Sequence, residues 1–83
     1  GLDHFDVSPN PTTGLVTVSI EMTQRQDLNL SLLDITGRVY NTFDISNRSE
    51  ILQLDFTDFS EGVYMMRLTN GTQVSSRPIV IVR

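Results

Sequence analysis

The side chains able to do chemistry are few and scattered. His4 is the only imidazole, and the nearest thing to an acidic cluster is Asp55, Asp58 and Glu61, with Asp34 elsewhere. A triad needs a base, a nucleophile and an orienting acid, and a histidine metal pair needs a second imidazole. One imidazole three residues from the start supplies neither, and at a fraying end it reads as a surface residue. Asp55, Asp58 and Glu61 recur at every third position. Calcium favours clustered oxygens, but an EF-hand-like loop alternates its carboxylates around a glycine, and that pattern is missing. The three read instead as a strand-end aspartate, a cap and a solvated glutamate. With no Cys in the chain, thiolate chemistry, thiolate metal sites and disulfides are excluded. No catalytic residue, metal site or cofactor is expected.

Other polar signals are equally bland. Asn29-Leu30-Ser31, Asn47-Arg48-Ser49 and Asn70-Gly71-Thr72 match the glycosylation acceptor pattern. In a chain this rich in Ser, Thr and Asn they read as coincidence, with Asn29 in mid-strand and Asn70 required by its turn. Sugar-binding sandwiches present a flat row of aromatics; here there is no Trp, and Phe and Tyr, including Tyr40 and Phe43, are mostly assigned inward, which leaves carbohydrate stacking weak.

The 83 residues allow one domain with one small core, to which most of the chain must contribute. The net charge is −4, there is no Lys, and Arg25, Arg38, Arg48, Arg67, Arg77 and Arg83 form no run. An acidic domain without a basic stripe is a poor binder of phosphate backbones, so no nucleic acid partner is expected. No 18-residue apolar run exists to span a membrane. A start on Gly1 without a signal-peptide pattern suggests a processed piece of a longer protein. Ala is absent while Val, Ile and Thr abound, a composition suited to pleated sheet, where branched side chains are not crowded.

The elements follow from alternation. No segment longer than ten residues holds a helical apolar pattern; short apolar runs separated by turn residues recur about every 8–12 residues, as in sandwiches and barrels. Seven strands are predicted: 4–7, 15–22, 28–34, 38–43, 51–56, 63–69 and 73–82. Pro9-Asn10-Pro11 ends the first, since each proline removes a ladder donor. Val16, Val18 and Ile20 alternate with polar residues in the second, and Leu28, Leu30 and Leu32 alternate with Asn29 and Ser31 in the third. Asp34-Ile35-Thr36-Gly37 turns the chain, with Asp as side-chain cap and Gly supplying positive φ. Leu52, Leu54 and Phe56 point inward from the fifth strand. Thr57 to Gly62 forms a compact turn with room for one helical turn capped by Thr57 or Asp58, and Phe59 plugs the end of the core. Tyr64, Met66 and Leu68 face inward from the sixth strand, and Asn70-Gly71 makes a hairpin. Ile79 to Val82 does not alternate, so it is either buried on both faces or offered to a partner, and Pro78 marks its strand as an edge. The expected fold is an all-β, seven-stranded antiparallel Ig-like β-sandwich without the Cys-Trp-Cys pattern of true immunoglobulin domains.

The ordered set of turns resembles a known family. Val7-Ser8-Pro9-Asn10-Pro11 with Gly14, then Leu33-Asp34-Ile35-Thr36-Gly37-Arg38-Val39, then Leu54-Asp55-Phe56 with Gly62-Val63-Tyr64, and finally Ile79-Val80-Ile81-Val82-Arg83 match its motifs in order. The chain from about Val7 onward resembles the type A C-terminal sorting domain of Bacteroidetes cargo proteins of the type IX secretion system. In that family the last residue is more often Lys; Arg83 keeps the charge.

The resemblance implies a C-terminal signal that follows a cargo domain and carries it through the periplasm to the cell surface or beyond. The implied partners are the outer-membrane machinery and a sortase-like peptidase that removes the domain, with the cleavage point at or before Gly1. Recognition is implied at Ile79, Val80, Ile81, Val82 and Arg83, by an edge strand donating its open backbone groups. Pro9, Asn10, Pro11, Gly14, Asp34, Gly37, Gly62, Tyr64 and Gly71 are implied as motif and structural positions. An accessory fibronectin-like spacer or glycan-binding module is the alternative; a sorting signal must lie at the true C-terminus, whereas a spacer can sit anywhere.

Overall fold

A computed structural model describes residues 2–83. Seven strands make up the fold: β1 (Leu2–Ser8), β2 (Leu15–Met22), β3 (Leu28–Asp34), β4 (Val39–Ile45), β5 (Ser49–Asp55), β6 (Gly62–Thr69) and β7 (Val74–Ile81). They form a three-stranded sheet, β1-β2-β5, and a four-stranded sheet, β4-β3-β6-β7, with every strand pair antiparallel. This is the all-β sandwich that the alternation predicts. The bounds of β2 and β3 agree with the sequence reading; β4 and β5 are displaced by one or two residues at their ends, where side-chain alternation says least.

The position of β4 follows from its turn. Asp34 N–H donates to Arg38 O at 3.0 Å, and Gly37 N–H donates to Asp34 O at 3.1 Å. So short a hairpin leaves β4 no choice but to pair with β3. In the constant-type immunoglobulin arrangement the fourth strand lies on the other sheet.

The core lies between the sheets. Val16, Val18, Ile20 and Met22 from β2 meet Leu28, Leu30, Leu32, Met66, Leu68, Ile79 and Ile81 from the opposite sheet, with Phe56 closing one end. Leu52 and Leu54 are only half-buried, because β5 is an edge strand with a neighbour on one side. Two outer-face positions of β3 also differ from simple alternation. Ser31 and Leu33 are buried. β3 is flanked on both sides: Thr42 and Arg67 stand directly opposite Ser31, and Val39 and Met65 opposite Leu33. Ser31 Oγ satisfies itself on Asn29 Oδ1 at 3.0 Å.

Tyr40 is a correction to the inward assignment. The register slips between Leu32, opposite Asn41, and Leu33, opposite Val39, so Tyr40 is the unpaired residue of a bulge. Bulges re-aim side chains, and Tyr40 is 39% exposed. Phe43, opposite Leu30, is half-buried against the core as expected.

Residues 57–62 contain no helical turn. Phe59 N–H closes a single turn on Phe56 O at 3.0 Å. The cap is Asp55, not Thr57 or Asp58: Asp55 Oδ1 accepts from Thr57 N–H at 2.9 Å and from Thr57 Oγ1 at 2.6 Å. Asp34 treats Thr36 in the same way, at 2.8 and 2.6 Å, and Asn70 treats Thr72 so at 3.0 Å for both donors. Three strand exits thus share one Asx-x-Thr turn, in which the side-chain oxygen replaces a lost backbone acceptor.

Candidate recognition site on the last strand

β7 is one of the two outer strands of the four-stranded sheet, as Pro78 suggests. Its residues alternate more strictly than their types imply. Ile79 and Ile81 are fully buried in the core, Val80 is half-buried, and Val82 is 37% exposed. The first two therefore set the position of the strand, while Val80, Val82 and Arg83 are the parts a partner could touch.

The expected open edge is not open at its end. From Pro78 onward the backbone groups that face away from β6 belong to Pro78, Val80 and Val82. Asn10 Nδ2 donates to Pro78 O at 2.7 Å, and Val80 N–H donates to Asn10 Oδ1 at 2.9 Å. Thr12 N–H donates to Val80 O and Val82 N–H to Thr12 O, both at 2.9 Å. Strand addition at this stretch would have to displace the chain's own residues. Pro78 itself loses nothing: it points its missing donor away from β6, where the ladder asks for none.

The Pro-Asn-Pro turn owes this role to what it can offer. Its two prolines have no N–H, so between Pro9 and Thr12 only Asn10 and Thr12 carry backbone donors. Both peptide bonds preceding these prolines are cis. Thr12 is buried, and the sequence reading missed it. Thr12 Oγ1 donates to Leu15 O at 2.7 Å and accepts from Gly14 N–H at 3.0 Å, so no polar atom of this residue is left orphaned. Gly14 then receives Phe56 N–H at 2.7 Å on its carbonyl. A polar residue after the motif's second proline is the only sequence signal for Thr12, and it is weak.

Arg83 closes the same end. Its guanidinium donates to Thr13 O at 2.6 Å, to Thr57 O at 2.9 Å and to Phe59 O, joining the end of the chain to the β1–β2 and β5–β6 loops. Arginine suits this job because its rigid fork aims several donors at once.

The middle motifs meet at one rim. Tyr64 packs its ring in the core and donates its hydroxyl to Ser60 O at 2.7 Å, the tyrosine-corner arrangement of Ig-like sandwiches. Tyr40, Phe59 and Tyr64 make mutual edge-to-face contacts with centroids 5.3–6.2 Å apart. The Arg38 guanidinium lies 4.9 Å over the Tyr40 ring, and the Tyr40 hydroxyl donates to Asp34 Oδ2 at 3.2 Å. That ring is occupied within the domain, not set out flat for a sugar. Gly62 opens β6 opposite Ile81, and Gly71 N–H donates to Thr69 Oγ1.

The acidic residues serve turns. The Thr36 hydroxyl, with backbone donors and Tyr40, holds the Asp34 carboxyl below the usual aspartate range. Thr57, through its hydroxyl and its N–H, does the same for Asp55. Burial and the adjacent Asp34 push the Tyr40 phenol up. Among the described residues no three of His, Cys, Asp and Glu are grouped as metal ligands, and no helix is long and apolar enough to cross a membrane.

The fold and this site define a small β-sandwich module with a strapped edge strand and a few outward side chains at its end. Residues 6–82 match the secretion system C-terminal sorting domain, and the chain belongs to that family, the sorting domains of type IX secretion. Such domains are export signals, not catalysts, and imply delivery of a protein to the cell surface or the extracellular space. No curated protein matches the chain. Gly1, near which the resemblance puts a cleavage point, lies outside the described residues.

Proposed function

We propose that residues 1–83 are one sorting domain that directs an N-terminally attached cargo from the periplasm across the bacterial outer membrane, and that a sortase-like peptidase then removes it. The family match over residues 6–82 carries this reading. The proposed signal is Ile79 to Arg83. In the folded domain Ile79 and Ile81 anchor the strand, and the secretion machinery reads Val80, Val82 and Arg83.

A reporter with an inner-membrane export signal, fused ahead of residues 1–83, tests it in a host with this pathway. The fusion should reach the cell surface; retention in the periplasm would refute the sorting function. Deleting residues 79–83 is uninformative alone, because it removes two core side chains. The double change Val80→Thr with Val82→Asp keeps Ile79 and Ile81 and should hold the reporter in the periplasm at nearly unchanged melting temperature. A folded double variant that is exported as well as the parent would move the signal elsewhere on the domain.

A further inference from the structure

We propose that residues 10–12 are an internal edge guard for β7: Asn10 and Thr12 stand in for the neighbouring strand that the sheet lacks there, and Asn10 is the half that opens. The inference does not depend on which machinery reads the domain.

An edge strand presents a row of unpaired donors and acceptors and so invites strand addition or self-association. From Pro78 onward that row is Pro78 O, Val80 N–H, Val80 O and Val82 N–H, and residues 10 and 12 meet all four. The Asn10 side chain does so as a peptide group would, with one amide donor and one amide oxygen spaced like the main chain. Thr12 adds its own N–H and C=O in a parallel bridge opposite Ile81. An aspartate at position 10 would lack the donor, and a glutamine would carry the amide one carbon too far. Earlier on β7 no described residue plays this part: Arg77 Nη1 donates to Ser76 O at 2.9 Å and Arg77 Nε ties the strand to Phe5 O at 3.1 Å.

The two halves are held unequally. Thr12 is buried and fixed through Oγ1 to Leu15 O and Gly14 N–H. Asn10 is exposed, and among the described residues its side chain bonds only to β7. Local opening therefore begins at Asn10, freeing Pro78 O and Val80 N–H while Thr12 keeps Val80 O and Val82 N–H. A strand that pairs with β7 competes first with the Asn10 amide.

Amide hydrogen exchange on the 83-residue chain, with sedimentation velocity over a concentration series, tests this. In Asn10→Ala the Val80 amide should exchange about tenfold faster or more, with Val82, Ile79 and Ile81 little changed. The same variant should self-associate with rising concentration while the parent stays monomeric. Asn10→Asp, which keeps the acceptor, should leave Val80 protected. Unchanged Val80 protection in a folded Asn10→Ala overturns the proposal. So does an opened Val80 in a variant that stays monomeric throughout. Equal loss of protection at every amide in both variants also overturns it, since the segment would then serve the fold as a whole and not the edge.

Discussion

A Cβ placed on Gly14 would stand 2.7 Å from the Cα of Thr57. That approach is backbone against backbone, so no rotamer change relieves it. Gly14 also has φ of +136°, which side chains resist. Gly14→Ala should therefore cost about 2–4 kcal/mol, combining overpacking with backbone strain. Gly37 has φ of +90° but open space around it. Gly37→Ala should cost only about 1 kcal/mol. Denaturant unfolding of the two variants checks the order; an equal loss would mean that the Thr57 contact yields.

The Arg83 side chain is a staple. Arg83→Ala removes its donors from the Thr13, Thr57 and Phe59 carbonyls and should lower stability by about 1–2 kcal/mol, modest because the site is exposed. Arg83→Lys should recover less than half, since one ammonium cannot reproduce the fork. Thermal melts read both. An unaltered melting temperature for Arg83→Ala would show the guanidinium free to engage a partner.

Leu30 is fully buried at the centre of β3. Leu30→Ala should cost about 2–5 kcal/mol, a large share of the stability of so small a domain. Val82→Asp, at a partly exposed position whose backbone bond to Thr12 survives, should change stability by less than about 0.5 kcal/mol. Chemical denaturation of the pair separates core from surface on the two sides of the β7 end.

Acid should loosen the turns. Asp34 and Asp55 are both held below the ordinary aspartate range, chiefly by the hydroxyls of Thr36 and Thr57. A depressed folded value means that the folded state binds its proton less readily than the unfolded chain. The stabilisation is thus complete above the unfolded value, near pH 4, and fades as pH falls through the lower folded value. Asn70 builds the same turn with an amide. The double change Asp34→Asn with Asp55→Asn should accordingly keep the fold and flatten the acid limb of a melting-temperature profile. An acid limb as steep as the parent's would assign the pH dependence to other carboxylates.

Much of the fold is legible without coordinates. Period-two alternation in β2, β3 and β6 names the inward faces, and Asp34-Ile35-Thr36-Gly37 and Asn70-Gly71 name their hairpins, because both signals act between residues a few positions apart. Even the edge position of β7 can be read, since Pro78 cannot donate to a ladder. The state of that edge cannot. Asn10 meets Pro78 and Val80, and Arg83 meets Thr13, at separations of about seventy residues. No local pattern in either segment announces the other. Ile79 to Val82 reads as equally apolar in one dimension, and only the packed sheets decide that Ile79 and Ile81 face the core while Val80 and Val82 do not. Thr12 likewise looks like any turn threonine until it docks, buried, against the end of β7. Propensity, alternation and turn chemistry are properties of neighbours along the chain; a closed edge and a backbone-to-backbone contact are properties of segments that meet only once the core has formed.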